Sequence, residues 1–247
     1  MTITGQSLTD LTGVTTLLCD ADGTLFPSED PTYDASAIVT QNFAAHYGLE
    51  GTFTAEELRR VGAGRNFRAT ARDLLASAGV EVDATELGRW VDREQEDVTA
   101  HLQKTLATDD EVMSALADLK QRFELAIVTS SAERRVAVCC AVTGVDRFFA
   151  ADALYSVEDS LPTPVSKPDP AIYLHALRSL RIPASSAVAI EDSTNGTKSA
   201  VAAGIRTVGL VRFVGRSEQG RRATELLDAG AEAVFRSWPE LVEALAG

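Results

Sequence analysis

Apolar positions along this chain follow two periods, and the switches between them divide it into segments. The run Val14 to Cys19 is short and apolar and ends at Asp20, Asp22 and Gly23, which predicts a buried strand stopped by a tight turn. From Tyr33 to about Ala107 the spacing is helical. Ile38, Phe43 and Tyr47 predict one helix ending near Gly48, and Leu58 and Val61 a short one stopped at Gly62. Phe67, Ala71, Leu74 and Leu75 predict a third ending at Gly79, and Leu87, Trp90, Val91, Val98 and Leu102 a long fourth. No convincing strand pattern falls in this stretch, so it reads as a helical bundle. The segment joining it to the first strand, Pro27 to Pro31, reads as a linker.

Alternation then resumes. Asp109 and Asp110 can cap a helix carrying Val112, Leu116 and Leu119. Leu125–Thr129 predicts a strand, residues 132–142 a helix, and Phe148–Ala150 another strand. Ser156 to Ser166 reads as a polar loop and residues 169–180 as a helix. Ala187–Ile190 predicts a strand ending at Glu191 and Asp192, followed by a helix from Thr194 that Gly204 stops. Arg206–Leu210 and Ala233–Phe235 read as the last strands. Strands alternating with helices through short loops predict an α/β fold with a Rossmann-like parallel sheet, interrupted after its first strand by an α-helical insert. The expected division is residues 1–26 and 108–247 for the α/β domain and 27–107 for the insert.

Composition narrows the function. The 247 residues are 45% hydrophobic, enough for a sizeable core. A formal net charge of -13 repels nucleic-acid phosphates and anionic membranes, so neither is an expected partner. Cys19, Cys139 and Cys140 form no disulfide or metal pattern and read as reduced, buried thiols. Met1 to Gly13 lacks the basic-then-apolar pattern of a secretory leader, and no stretch suits a bilayer span; the expectation is a cytoplasmic chain, with a monomer favoured.

In a parallel sheet the C-terminal strand ends share one edge, where ligands bind. That edge would gather Asp20 and Asp22, Thr129 and Ser130, and Glu191 and Asp192. Strand alternation would point Asp20 and Asp22 to one side. Asp-x-Asp-Gly by itself also suits a plain surface turn. Four carboxylates without His or Cys suit Mg²⁺ better than zinc or copper. Thr129 and Ser130 can donate to phosphate oxygens. Lys167, in Ser166-Lys167-Pro168-Asp169-Pro170, offers a point charge from a stiff loop, although a lone lysine is as readily a solvated one. His46, His101 and His175 lie on predicted helices without acid or Ser partners nearby and read as structural.

These pieces in this order resemble the haloacid dehalogenase superfamily of phosphohydrolases. The matches are Asp20–Leu25, Thr129, the Lys167-Pro-Asp-Pro stretch, and Glu191-Asp192-Ser193 with Gly196 and Ala202-Ala203-Gly204 after it. The insert is similar to the small helical cap of the branch holding phosphoglycolate phosphatase and β-phosphoglucomutase. The second acid, Asp22, is absent from the dehalogenases themselves, so the resemblance favours phosphoryl chemistry. It implies Asp20 as nucleophile, Asp22 as general acid and base, and Thr129, Ser130 and Lys167 around the phosphate. It implies Mg²⁺ held by Asp20, the backbone carbonyl of Asp22, Asp192 and, directly or through water, Glu191. The cap would close over a small phosphorylated metabolite about hinges near 27–31 and 107–109, the first stiffened by Pro27 where an acid is usual. In the cap, Arg65 and Asn66 could reach a second anionic group of the substrate, or could simply form a helix-helix turn. The implied function is a phosphatase acting on a sugar phosphate or a phosphoglycolate-like compound. A phosphomutase is the alternative, though Tyr33–Ile38 lacks the histidine and tryptophan usual in that branch; a non-catalytic phosphate binder is a third.

Overall fold

The computed structural model describes residues 11–62 and 67–246. The chain divides into two compact units. One runs to Pro27 and resumes at Ala107; the other is Ser28–Leu106.

The first unit is built on six parallel strands: β1 (Thr16–Cys19), β2 (Glu124–Thr129), β3 (Leu154–Ser156), β4 (Ala187–Glu191), β5 (Arg206–Leu210) and β6 (Ala233–Phe235). Their order is β3-β2-β1-β4-β5-β6, so the first strand lies at the centre and the chain winds outward in both directions. Every residue of β1 and β4 is buried, as strands covered by helices on both faces must be. Leu17 and Leu18 sit between Leu125 and Ala126 on one side and Val188 and Ala189 on the other. That register brings the ends of β1, β2 and β4 level.

In the second unit are α1 (Glu29–His46), α2 (Ala55–Gly62), α3 (Phe67–Ala78) and α4 (Ala84–Thr105). Val39, Phe43, Phe67, Ala71, Leu75, Leu87 and Val91 form its core. Trp90 is partly buried and meets the Phe43 ring edge-on at 5.4 Å. The first unit's helices are α5 (Asp110–Leu119), α6 (Glu133–Thr143), α7 (Val157–Ser160), α8 (Ala171–Leu180), α9 (Thr194–Ala202), α10 (Gln219–Asp228) and α11 (Trp238–Ala246). Asp109 caps α5, accepting from the backbone N–H groups of Glu111 and Val112. Among the described residues no helix is long and apolar enough to cross a membrane.

The structure corrects four expectations. Pro27 to Pro31 is not all linker: α1 begins at Glu29, and Pro31 lies in its first turn, where a missing N–H costs nothing. Ile38 is 64% exposed, and Val39 takes its place beside the expected Phe43 on the buried face. The Phe148–Ala150 strand is absent. Gly144 ends α6 at φ +78°, the chain turns at once into a 3-10 helix at Val145–Phe148, and the edge strand forms later, at Leu154–Ser156. An aromatic pair suits a half-buried loop as well as a strand, and here the helix end decided. Finally, the expected loop from Ser156 opens with the one-turn helix α7, capped by the Ser156 hydroxyl.

Candidate active site

Strand β1 ends at Cys19, so alternation does not extend to Asp22. The chain turns instead, with Thr24 and Leu25 N–H bonded to the Ala21 carbonyl and Gly23 N–H to that of Phe26. Asp20 and Asp22 consequently face different partners.

Asp20 is buried and accepts from Lys167 Nζ at 2.7 Å. The same ammonium donates to Glu191 Oε1 at 2.7 Å and to the Val128 carbonyl at 2.9 Å. Glu191 Oε1 also accepts from the Tyr173 hydroxyl at 2.6 Å, and Oε2 from Ser193 at 3.3 Å. Asp192, at the first position past β4, accepts from Thr24 at 3.3 Å. Arg222 on α10 donates to the Asp192 backbone carbonyl at 2.8 Å and lies 3.9 Å from its carboxylate. One oxygen from each of Asp20, Glu191 and Asp192 falls within 4.8 Å of the others, and all three residues are buried.

Two glycines make this cluster possible. Gly23 has φ +80°, and a Cβ there would overlap the Asp192 carboxylate. A Cβ on Gly196 would overlap the Glu191 carboxylate. Gly196→Ala is therefore expected to displace Glu191 and to cost about 1–3 kcal/mol through overpacking, together with most of the activity. A denaturant melt and a turnover assay check this; an Ala variant with wild-type stability and rate would contradict it.

The electrostatics follow from burial. Loss of water pushes the Asp20 carboxyl up to about 8; Lys167 offsets part of this, while Glu191 and Asp22 add to it. Burial favours neutral Lys167, but the Asp20 and Glu191 charges outweigh it and hold the ammonium more firmly protonated than usual. Burial, then the Glu191 and Asp20 charges, raises Tyr173, so its hydroxyl stays a donor. Burial also pushes Cys19, Cys139 and Cys140 up to about 12, which makes them inert thiols.

Asp22 is half-buried. Its Oδ2 accepts from Ser131 at 2.5 Å and from Arg135 on α6 at 3.1 Å, and Arg135 also reaches the Ser131 hydroxyl. Asp22's carboxylate lies outside the three-acid cluster. Thr129 is buried at the end of β2, and its Oγ1 accepts from Ser131 N–H at 3.0 Å, which leaves the hydroxyl proton to donate elsewhere. Ser130 is exposed beside it. Arg65 and Asn66 lie outside the described residues.

The structure thus brings Asp20, Lys167, Glu191 and Asp192 together and sets Asp22 against β2's terminal turn. Ser131, Arg135, Tyr173 and Arg222 were not singled out from sequence. Arg135 and Tyr173 each occupy the first turn of a helix that starts near this edge, and that placement was the only available signal.

The model of the family haloacid dehalogenase-like hydrolase matches residues 14–204. This chain belongs to that family. The CbbY protein of Rhodobacter capsulatus is 29% identical over 200 residues, 78% of this chain and 83% of that protein. The CbbY of Cereibacter sphaeroides is 47% identical over a shorter stretch of 66 residues, 27% of this chain and 29% of that protein's length. The phosphorylated carbohydrates phosphatase of Thermotoga maritima is 27% identical over 222 residues, 89% of this chain and 93% of that one. Among solved structures, the haloacid dehalogenase-like protein ATU0790 of Agrobacterium tumefaciens is 25% identical with a TM-score of 0.71, over 95% of this chain and 100% of that one. The chain is a haloacid dehalogenase-like hydrolase.

Proposed function

We propose that this enzyme is a Mg²⁺-dependent phosphatase that hydrolyses a small phosphorylated metabolite, a sugar phosphate or a phosphoglycolate-like compound, through an aspartyl-phosphate on Asp20. The observation that carries this reading is the cluster of three buried carboxylates, with one buried lysine bonded to two of them. Once Asp20 gives up its proton, three carboxylates gather where one buried lysine is bonded to two of them and Arg222 stands 3.9 Å from the third, and the donors are all hard oxygens. That set fits a divalent cation of the magnesium kind.

Asp20, Asp192 and the backbone carbonyl of Asp22 would hold Mg²⁺, with Glu191 acting directly or through water. When bound, Mg²⁺ supplies the positive charge that lets a carboxylate meet a phosphate dianion. Asp20 attacks phosphorus and the ester oxygen departs. Asp22 gives that oxygen a proton and later takes one from the attacking water, so protons balance over the cycle. Ser131 and Arg135 fix the orientation of the Asp22 carboxylate for this exchange. Thr129 and Ser130 donate to phosphate oxygens, and Lys167 neutralises their charge. Arg65 and Asn66 are assigned to the organic part of the substrate. The intact Asp22 and the name of the Thermotoga relative support phosphoryl transfer from a carbohydrate-like ester.

Phosphate release from a panel of phosphoesters, with Mg²⁺ and with chelator, tests the reading; no turnover of any ester would defeat it. Incubation with β-glucose 1-phosphate, glucose 1,6-bisphosphate and Mg²⁺ separates hydrolysis from isomerisation. Rapid glucose 6-phosphate formation with little free phosphate would make the enzyme a mutase.

Two further outcomes follow. Asp192→Ala is expected to shift the Mg²⁺ titration of activity to higher concentration without lowering stability in chelator, because it removes a buried charge. An unchanged titration would exclude Asp192 as a ligand. Because Asp20 holds its proton up to about pH 8, metal binding must release that proton. Mg²⁺ affinity should therefore weaken below pH 8, by up to about tenfold per unit. Calorimetry at pH 6, 7 and 8 in two buffers of different ionisation enthalpy measures both the affinity and the proton release.

A further inference from the structure

The lysine at the centre of the site has no proton to spare. An ammonium carries three donors, and Lys167 directs them to Asp20 Oδ1, Glu191 Oε1 and the Val128 carbonyl. An arriving phosphate must take one of these. Asp20 is the reacting group, and the Val128 carbonyl is fixed in β2. Glu191 is the acceptor that has a substitute donor. Its Oε1 is already shared with the Tyr173 hydroxyl at 2.6 Å, on a residue with no exposed surface. Glu191 itself cannot swing away, because it is fully buried and packed against Gly196. The Tyr173 ring also lies 5.1 Å from Lys167 Nζ, where its face favours the cation on that side.

We propose that Tyr173 is a positioning residue whose hydroxyl holds Glu191 while Lys167 turns from that carboxylate to the substrate's phosphate. The inference rests on the reading of Lys167 as the cation that meets phosphate. Without the hydroxyl, Oε1 would lose its second donor, and among the described side chains only Ser193, 3.3 Å from Oε2, would serve the carboxylate whenever the lysine left it. A buried carboxylate so poorly satisfied is costly, so Lys167 would be retained and phosphate binding would weaken.

The test is calorimetric titration of inorganic phosphate into the full chain at saturating Mg²⁺. Tyr173→Phe keeps the ring and removes only the donor. It is expected to weaken phosphate binding by about tenfold or more, to raise KM more than it lowers kcat, and to leave Mg²⁺ affinity unchanged. A merely structural tyrosine would lower the melting temperature and the active fraction and leave phosphate affinity per active site alone. Phosphate affinity equal to wild type, or Mg²⁺ and phosphate lost together, would overturn the proposal. Glu191→Gln supplies the second arm. A neutral Gln does not retain the lysine, so adding Tyr173→Phe to it should change phosphate affinity little; a full loss there would overturn the route through Glu191. Lys167→Met separates the two readings. If it leaves phosphate affinity unchanged, the positioning proposal fails. If it abolishes binding while the wild-type enzyme binds phosphate but hydrolyses no ester, hydrolysis fails and the positioning proposal stands.

Discussion

Asp20→Asn is expected to lower turnover by about 10⁴-fold or more, the scale on which a lost nucleophile acts, and to abolish the phosphoenzyme. Asn keeps an acceptor for Lys167 but cannot attack phosphorus at a useful rate. Acid-quenched mass spectrometry, or trapping with beryllofluoride, locates the modified residue; a label on any residue other than Asp20 would overturn the assignment. The same substitution has a stability signature of known sign. The folded Asp20 binds its proton up to about pH 8, against an ordinary value of 3.8. Between those limits the native state holds more proton than the unfolded chain, so stability falls as pH rises. Below about pH 4 this contribution is fully present, and it is lost as the pH passes through 8. In chelator, the wild-type melting temperature should therefore decline from pH 5 to pH 8 more steeply than that of Asp20→Asn. Parallel declines would show that Asp20 is not the group responsible.

Lys167→Met is expected to be the most destabilising single change at the site. It removes the one cation bonded to Asp20 and Glu191 and leaves both carboxylates buried. Breaking such a pair costs about 3–5 kcal/mol, or roughly 10 °C in melting temperature for a chain of this size. Below about pH 8 Asp20 holds its proton in either protein, so the loss there falls on Glu191, and it should grow as pH rises through 8 and Asp20 ionises. Mg²⁺ should recover a larger share of stability in the variant than in wild type, because a divalent cation replaces the missing charge. Thermal melts with and without Mg²⁺ at two pH values measure all of this. A variant that melts like wild type in chelator would mean that the acids are not held by this lysine. Activity should be lost under every condition, since no other buried cation takes its place among the described residues.

Much of this site was legible in the order of the residues. Each strand that ends at it is a short apolar run closed by its functional residues: Cys19 before Asp20, Val128 before Thr129, Ile190 before Glu191. Apolar period reports which segments are buried, and parallel connection then forces their ends to one edge. Gly23 and Gly196 were legible as parts of motifs, while the carboxylates that forbid a Cβ there were not. Arg135 meets Asp22 across 113 positions of sequence, and Tyr173 meets Glu191 across the helix and strand between them. Neither residue type is unusual on a helix, and no spacing announces such a contact. The same holds for Asp22, expected on Asp20's side and turned instead to Ser131, because the strand closed at Cys19 and a turn took over. Five of the six strands, the inserted helices and the acids and lysine at the sheet's edge could be read from the residues alone, because burial and local turn chemistry are written residue by residue, while the edge strand at Leu154–Ser156 could not. Which oxygen each donor serves was settled by the packing of the elements, because hydrogen-bond partners depend on where separate elements stop and face one another.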